Sequence, residues 1–122
     1  MRTQPWTEPK ITVPVLFSQW QETKKELQAG FSKRDSSKTE MPMKKGIDLF
    51  LKALYWSNRQ PVDSEVQDTD GLKIKPVNIG ERLKYILQNS NKYHSFVQLS
   101  ELFVEMEKVY KKQEALLKLK KS

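Results

Sequence analysis

Apolar residues at helical spacing are the sequence feature that most constrains the fold of this chain. Between residues 47 and 110 they recur at intervals of three and four, which is the period of an α-helix that buries one face. The best candidate for a β-strand, residues 72–75, is only four residues long. The pattern therefore predicts an all-α fold, a small irregular bundle of three central helices with a further helix near the N-terminus.

The three central helices have predicted limits and predicted buried faces. The second helix of the chain is expected over residues 42–57, with Asn58 in the left-handed conformation that often closes a helix. The third begins after Asn78, whose side chain is expected to cap it in partnership with Glu81. The fourth is expected over residues 95–120. The predicted buried residues are Ile47, Phe50, Leu51, Leu54, Tyr55, Ile79, Leu83, Ile86, Leu87, Phe96, Leu99, Leu102, Phe103, Met106, Val109 and Tyr110.

The two ends of the chain are less regularly patterned. Residues 1–13 are expected to form an extended lead-in, followed by a first helix that begins at Pro14 and ends at Gly30. Residues 32–40 contain no apolar side chain, which is typical of a flexible polar linker. These boundaries divide the chain into an N-terminal segment with one helix and a linker (1–40), a helical domain (41–110) and a lysine-rich tail (111–122).

The positive charge of the chain is concentrated at its ends. The net charge is +7 at pH 7, yet residues 47–106 carry seven Lys or Arg against eight Asp or Glu. The absence of cysteine excludes disulfides and thiolate chemistry. No segment has the roughly 18 apolar residues that a membrane span needs. We therefore expect a soluble cytoplasmic protein.

Basic side chains near the start of the third helix and in the tail form the first candidate site. A helix N-terminus with cations beside it attracts phosphate groups, and lysines neutralise the phosphates of nucleic acid. The opposing interpretation is that Arg82 pairs with Glu81 or with the predicted loop over residues 58–75, which contains four acidic residues, and that a lysine-rich end only aids solubility. The candidate anion or nucleic-acid contacts are Lys73, Lys75, Arg82, Lys84, Lys111, Lys112, Lys118 and Lys120.

Aromatic residues near the ends of the second and fourth helices form the second candidate site. Trp56 lies off the centre of its apolar stripe, and Tyr93 and His94 precede the next stripe. Such residues anchor protein partners or stack on nucleic-acid bases, although most aromatic side chains simply pack in or around a core. The candidate partner face consists of Trp56, Asn58, Tyr93 and His94.

Residue types that perform catalysis are present, but their pattern does not indicate a catalytic site. His94 is the single histidine, so a metal site built on it would need carboxylate or amide ligands. Glu101 and Glu105 lie one helical turn apart, where paired carboxylates are more often solvated than catalytic. No nucleophile, base and orienting group occur together. The sequence therefore predicts no enzyme and no catalytic, cofactor or metal site.

Three segments of the central region are similar to a known family. They read ALYWSNRQPVD, LKIKPVNIGERLKYIL and YHSFVQLSELFVEMEKVY. In their order and spacing they resemble the YpoC-like family of small proteins from Gram-positive bacteria, over residues 47–110. The resemblance implies a helical module in the bacterial cytosol and no particular chemistry.

Two functional hypotheses follow from these patterns. The first is a non-enzymatic protein-binding or adaptor module that uses the candidate partner face. The alternative is a nucleic-acid-binding accessory protein that uses the basic cluster at Lys73–Lys84 together with the tail. A nucleic-acid binder would lose affinity steeply with salt, whereas an adaptor would depend on its exposed aromatic residues.

Overall fold

Four α-helices make up most of the part of the chain that the structure describes. The computed structural model describes residues 4–63, 65 and 69–121. The helices are α1 (Pro9–Ser32), α2 (Glu40–Ser57), α3 (Ile79–Gln88) and α4 (Tyr93–Lys121), with short 3₁₀ turns at Pro5–Thr7 and Ser36–Lys38. No β-strand occurs in the described residues, and the prediction of an all-α fold is confirmed.

Helix α1 is longer at both ends than the sequence predicts. It begins at Pro9, which takes the first-turn position, so that Pro14 lies inside the helix. Val13 and Trp20 are both almost fully buried, and this continuous apolar face offsets the backbone hydrogen bond that Pro14 cannot donate. The expectations of an extended segment over residues 4–13 and of a helix end at Gly30 were therefore wrong, while residues 1–3 of the predicted lead-in lie outside the described residues.

The polar run after α1 forms a hydrogen-bonded turn. The Asp35 carboxylate accepts hydrogen bonds from the backbone N–H of Ser37, at 3.1 Å, and from its hydroxyl, at 2.6 Å. Thr39 is buried against Gly30, where an added Cβ would lie 2.7 Å from the Thr39 methyl group. A glycine at position 30 thus lets the turn lie directly against α1, which brings α2 back alongside it.

Ring contacts show that α1 and α4 are antiparallel. Trp20 stacks on Phe103 with ring centroids 4.2 Å apart, and Phe31 stacks on Phe96 at 5.5 Å. Moving towards the C-terminus of α1 therefore means moving towards the N-terminus of α4. These aromatic contacts form the centre of the core, because Trp20 is only 2% exposed.

Helices α2 and α4 run in the same direction. Gly46 lies against Leu99, since an added Cβ would be 3.2 Å from a Leu99 methyl group, and Phe50 packs edge-on against Phe103 at 5.3 Å. The same Cβ would be 2.8 Å from the Trp20 ring, so Gly46 is the point where three helices meet. The predicted buried residues of α2 are confirmed as core residues.

Helix α3 packs against α4 and differs from prediction at its start. Asn78 precedes the helix, but its backbone is left-handed, with φ 54°, and its side chain makes no capping hydrogen bond. A side-chain cap requires an extended residue at this position, so the expected pairing with Glu81 was wrong. Leu87, expected in the core, is 42% exposed because α3 buries only a narrow stripe. The buried residues of α3 are Ile79, Leu83 and Ile86.

Helix α4 begins at Tyr93 and continues to Lys121, so the lysine-rich tail extends the last core helix. Ser95 falls within its first turn, where the hydroxyl donates a 2.6 Å hydrogen bond to the Asn89 carbonyl. The predicted core residues of α4 are buried from Phe96 to Tyr110, with Val109 partly buried. None of the described helices combines the length and the apolar character needed to cross a bilayer.

Candidate functional site

The four residues of the candidate partner face lie at opposite ends of the bundle. Tyr93 packs beside Phe31, at the start of α4. Asn58 lines a cleft together with Tyr110, which lies 17 residues further along α4. At 1.5 Å per residue these places are about 25 Å apart. The sequence prediction of one continuous face was therefore wrong, because α2 and α4 are parallel and the candidates come from opposite helix ends.

Asn58 was predicted to contact a partner, but its side chain is used within the fold, where it acts as a structural clamp. Its amide nitrogen donates to the carbonyls of Leu54, at 2.7 Å, and Ile74, at 2.8 Å. Its amide oxygen accepts from the backbone N–H groups of Lys73, at 2.9 Å, and Ile74, at 2.8 Å. One side chain thus ties the end of α2 to the loop that leads towards α3. Trp56, on the last turn of α2, is partly buried against the core, with the Lys52 ammonium 5.9 Å from its ring centroid.

The left-handed residue that closes α2 is Arg59, one position beyond the predicted Asn58. Its φ is 57°, whereas that of Asn58 is −93°. The Arg59 N–H bonds to the Trp56 carbonyl and the Gln60 N–H to the Tyr55 carbonyl, each at 3.0 Å. This is the Schellman arrangement, in which glycine usually takes the left-handed place. The Arg59 guanidinium also donates to the Thr7 carbonyl at 2.9 Å.

Helix α1 ends in the same way, with a second left-handed arginine. Arg34 has φ 54°, and its N–H bonds to the Phe31 carbonyl at 3.0 Å. The following N–H, of Asp35, bonds to the Gly30 carbonyl at 3.1 Å. Sequence reasoning missed both arginines, since nothing in the residue type marks a left-handed conformation. The only available signals were the end of each apolar stripe and the polar residues after it.

The predicted basic cluster around α3 is divided by local bonds. Arg82 forms a two-pronged ion pair with Glu105 of α4, with one bond at 3.0 Å, and also donates to the Val77 carbonyl. Lys75 donates to the carbonyls of Thr69 and Asp70. Both side chains hold the structure together. Lys73 and Lys84 stay exposed on different surfaces: Lys73 lines a cleft with Asn58, whereas Lys84 lies with Lys75 beside the start of α3. Their role as anion contacts stays a prediction.

The ion pair between Arg82 and Glu105 makes stability depend on pH. The hydrogen bonds from Arg82 hold the pKa of Glu105 below its ordinary value, and burial only partly opposes them. A carboxyl whose pKa is lowered by folding stabilises the fold above its unfolded pKa and stops doing so as the pH falls through the folded pKa. We expect Glu105→Gln to lower the free energy of unfolding by about 1 kcal/mol at pH 7, a modest value because 38% of the Glu105 side chain is exposed.

Urea unfolding of the two proteins over a pH series measures this effect. The wild type and Glu105→Gln should converge as the pH falls from the ordinary value of 4.5 through the lowered folded pKa. Glu101→Gln removes an exposed carboxylate one turn away and should change stability by less than about 0.5 kcal/mol at any pH. A difference between wild type and Glu105→Gln that is constant across this range would contradict the assignment.

A cleft opens where α2 ends beside the C-terminal part of α4. It has a volume of about 380 Å³ and adjoins a second cleft of about 370 Å³ beside the start of α1. Tyr110 forms part of its wall, and the Tyr110 hydroxyl donates to the Pro9 carbonyl at 3.2 Å. Burial, helped by the charge of Glu114, raises the pKa of Tyr110 to about 12, so the hydroxyl stays a donor at neutral pH. We call this opening the α2–α4 cleft.

The tail lysines surround the last turns of α4. Lys111, Lys112, Lys118 and Lys120 are all exposed, and Lys111 lies 3.9 Å from Glu107 in an exposed ion pair. Because the four lysines fall on different sides of the helix, they form a diffuse positive field with no single-sided stripe. Lys118 also lines the second cleft.

Aromatic side chains gather at the other end of the bundle. Tyr93 is 60% exposed, although its ring packs edge-on against Phe31 at 5.5 Å and lies 6.0 Å from Phe96. A cleft of about 330 Å³ lies beside it and is lined by Arg34 and Asn91, among others. We call Phe31, Arg34, Tyr93 and the wall of this cleft the aromatic end.

The three residues weighed for catalysis, His94, Glu101 and Glu105, have separate surroundings. His94 is exposed, with its ring edge-on to Tyr85 at 5.6 Å and its Nε2 3.2 Å from the Gln98 amide. Glu101 is exposed and Glu105 is paired with Arg82. Among the described residues, no group of three or more His, Cys, Asp or Glu is arranged to hold a metal ion.

Comparison with known proteins gives a consistent result. The model of the family described as "YpoC-like protein" matches residues 10–118, so the match extends beyond the 47–110 region in which the resemblance was seen. The chain is 36% identical over 116 residues to the "Uncharacterized protein YpoC" of Bacillus subtilis (strain 168), covering 92% of this chain and 70% of that one. No solved structure matches. The chain therefore belongs to the YpoC-like protein family.

Proposed function

We propose that the protein is a non-enzymatic protein-binding module and that its partner docks on the aromatic end. The observation that supports this most strongly is the state of Tyr93, which is 60% exposed and yet held by ring contacts with Phe31 and Phe96. A tyrosine fixed in this way offers a large contact area at a low cost in side-chain entropy. The adjoining cleft of about 330 Å³ can accept a side chain from the partner.

Arg34 adds a second anchor next to the tyrosine. It lines the same cleft, and its left-handed backbone, with φ 54°, is a conformation that glycine adopts at lower cost. A long cationic side chain at such a position, exposed beside the cleft, is free to contact a partner. Tyrosine and arginine are enriched among the residues that contribute most to protein interfaces.

The non-enzymatic part of the proposal rests on the surroundings of His94. A general base needs a partner that orients it and a nucleophile or substrate proton within hydrogen-bond reach. The Nε2 atom of His94 lies beside the neutral amide of Gln98, and the neighbouring Ser95 hydroxyl is buried and bound to the Asn89 carbonyl. An exposed histidine that follows the exposed Tyr93 and packs edge-on to the partly buried Tyr85 suits a contact surface better than a catalytic site.

Affinity capture with matched aromatic variants tests this proposal. Immobilised wild type, Tyr93→Ala and Trp56→Ala are exposed to a Bacillus subtilis lysate, and the retained proteins are quantified by mass spectrometry. We expect that a protein captured by the wild type is captured about tenfold less by Tyr93→Ala. Trp56→Ala should capture it as well as the wild type does, because Trp56 lies in the last turn of α2, away from the aromatic end. Affinity measured with the purified pair should repeat this difference.

Thermal unfolding by circular dichroism verifies that both variants fold. Equal retention of every protein by wild type and Tyr93→Ala would overturn the proposal. A partner lost with Trp56→Ala and retained by Tyr93→Ala would also do so, because it would place the contact at the opposite end of the bundle.

Nucleic-acid binding is the alternative function. The arrangement of the tail lysines favours weak binding without sequence preference. The exposed lysines of the α4 extension supply a diffuse positive field, whereas Lys75 and Arg82 are occupied by bonds within the fold. Such a field gives weak, salt-sensitive attraction without sequence preference. Titration of the full chain with a ten-nucleotide single strand tests for this attraction.

A further inference from the structure

We propose that the α2–α4 cleft binds a small phosphorylated molecule that also carries hydroxyl or amino groups. The cleft is distinct from the aromatic end, so this inference does not rest on the protein-binding proposal. Its volume of about 380 Å³ lies within the range of small-molecule sites. The residues that carry the argument are Ser57, Arg59, Lys73, Tyr110, Gln113 and Glu114.

Arg59 supplies the anion-binding group. Its guanidinium is positioned by the hydrogen bond from Nη1 to the Thr7 carbonyl, which leaves the other N–H donors of the fork for a ligand. Two parallel N–H groups match two phosphate oxygens, and this is the geometry in which arginine binds phosphate most strongly. Arg59, like Arg34, is a cationic residue in a left-handed conformation that glycine would adopt at lower cost.

Lys73 places a second cation on the same wall. Its backbone N–H is fixed by the Asn58 side chain at 2.9 Å, so the clamp that ties α2 to the loop also positions Lys73 at the cleft. Among the described residues, neither Arg59 nor Lys73 forms an ion pair. Their charges are therefore available to a ligand.

Ser57 provides an independent observation that points to a polar ligand. It lines the cleft and is only 5% exposed, and its hydroxyl has no hydrogen-bond partner among the described residues. A buried hydroxyl left without a partner is costly, and most serines inside a helix avoid this by bonding the preceding turn. A polar ligand in the cleft can supply the missing partner.

Glu114 determines which phosphorylated molecules fit. Its carboxylate lines the same cleft and would repel a ligand that is anionic throughout, such as a polyphosphate. A molecule with one phosphate near Arg59 and hydroxyl or amino donors near Glu114 and Gln113 satisfies both walls. Tyr110, Ile74 and Leu117 add an apolar surface for a ring. Nucleoside monophosphates and sugar phosphates both have this chemistry.

Titration calorimetry with the full chain tests the proposal. The probes are AMP, glucose 6-phosphate, inorganic phosphate and a ten-nucleotide single strand. The key variant is Arg59→Gly, which removes the guanidinium with its bond to the Thr7 carbonyl and relieves the left-handed backbone. Circular dichroism verifies that the variant folds. Arg34→Gly makes the same change in the other Schellman turn and is the matched control.

We expect AMP or glucose 6-phosphate to bind, with at least about tenfold weaker binding by Arg59→Gly and unchanged binding by Arg34→Gly. Lys73→Gln should also weaken binding. Tighter binding of AMP would identify the ligand as a nucleotide, tighter binding of glucose 6-phosphate would identify a sugar phosphate, and either result supports the cleft. Inorganic phosphate that binds with the same dependence on Arg59 supports the phosphate position.

Three results would overturn the proposal. The first is that neither small phosphorylated probe binds. The second is that Arg59→Gly and Arg34→Gly weaken binding equally, which would indicate a general effect of charge. The third is that only the oligonucleotide binds, which would assign the positive end to nucleic acid and leave the cleft without a ligand.

Discussion

Replacing Trp20 with alanine is expected to lower the free energy of unfolding by about 3–5 kcal/mol. The indole is 2% exposed and stacks on Phe103 with centroids 4.2 Å apart and planes only 7° from parallel. A Cβ added at Gly46 would lie 2.8 Å from the same ring, so the backbone of α2 packs closely against it. The cavity left by the ring would face three helices at once, and none of them can close it without moving the other two.

Urea unfolding followed by far-ultraviolet circular dichroism measures this loss. The expected loss is a large share of the roughly 5–15 kcal/mol that stabilises a typical domain, so the variant should be partly unfolded at physiological temperature. Val15→Ala, on the exposed side of the same helix, is the control and should change stability by less than about 0.5 kcal/mol. A loss below about 1 kcal/mol for Trp20→Ala would show that the ring is not the centre of the core.

Replacing Asn58 with alanine is expected to cost about 2–4 kcal/mol. The amide makes four hydrogen bonds with backbone groups of Leu54, Lys73 and Ile74. Alanine leaves all of these groups without their partner, and water can reach only some of them. The effect should be local as well as global, because the 72–75 loop would lose its attachment to α2.

Hydrogen exchange distinguishes the bonds that the Asn58 oxygen accepts from those that the Asn58 nitrogen donates. In Asn58→Ala the backbone amides of Lys73 and Ile74 should exchange much faster than in the wild type. Asn58→Asp keeps the oxygen that accepts from these amides and loses the donors, so their exchange should accelerate less. Asn91→Ala changes an exposed asparagine near the aromatic end and should alter neither amide. Unchanged protection of Lys73 and Ile74 in Asn58→Ala would contradict the role of the clamp.

Local pattern predicts most of this fold, because burial of a helical face repeats every three to four residues. The stripes of α2 and α4 are core stripes in the structure, from Ile47 to Tyr110. Helix α1 was predicted too short because proline and glycine are read locally as helix limits. Tertiary packing keeps Pro14 and Gly30 inside a helix, the first under a continuous apolar face and the second beneath a tight turn.

The sites could not be predicted in the same way, since they depend on residues that are distant along the chain. Arg82 binds Glu105, 23 residues away, and Asn58 binds Ile74, 16 residues away. Each of these polar residues has a plausible functional meaning when read alone. Only the folded arrangement shows that their hydrogen-bonding groups are already used. It also places Arg34 and Arg59 beside clefts, although local sequence patterns do not distinguish these two arginines from the others.

The stacking of Trp20 on Phe103 has a consequence for synthesis of the protein. The two rings are 83 residues apart, so α1 leaves the ribosome long before its main partner exists. Until α4 is made, the apolar face of α1 can be covered only in part, by α2. A nascent chain that stops before Phe103 would therefore expose its largest core side chain and become a target for chaperones and proteases.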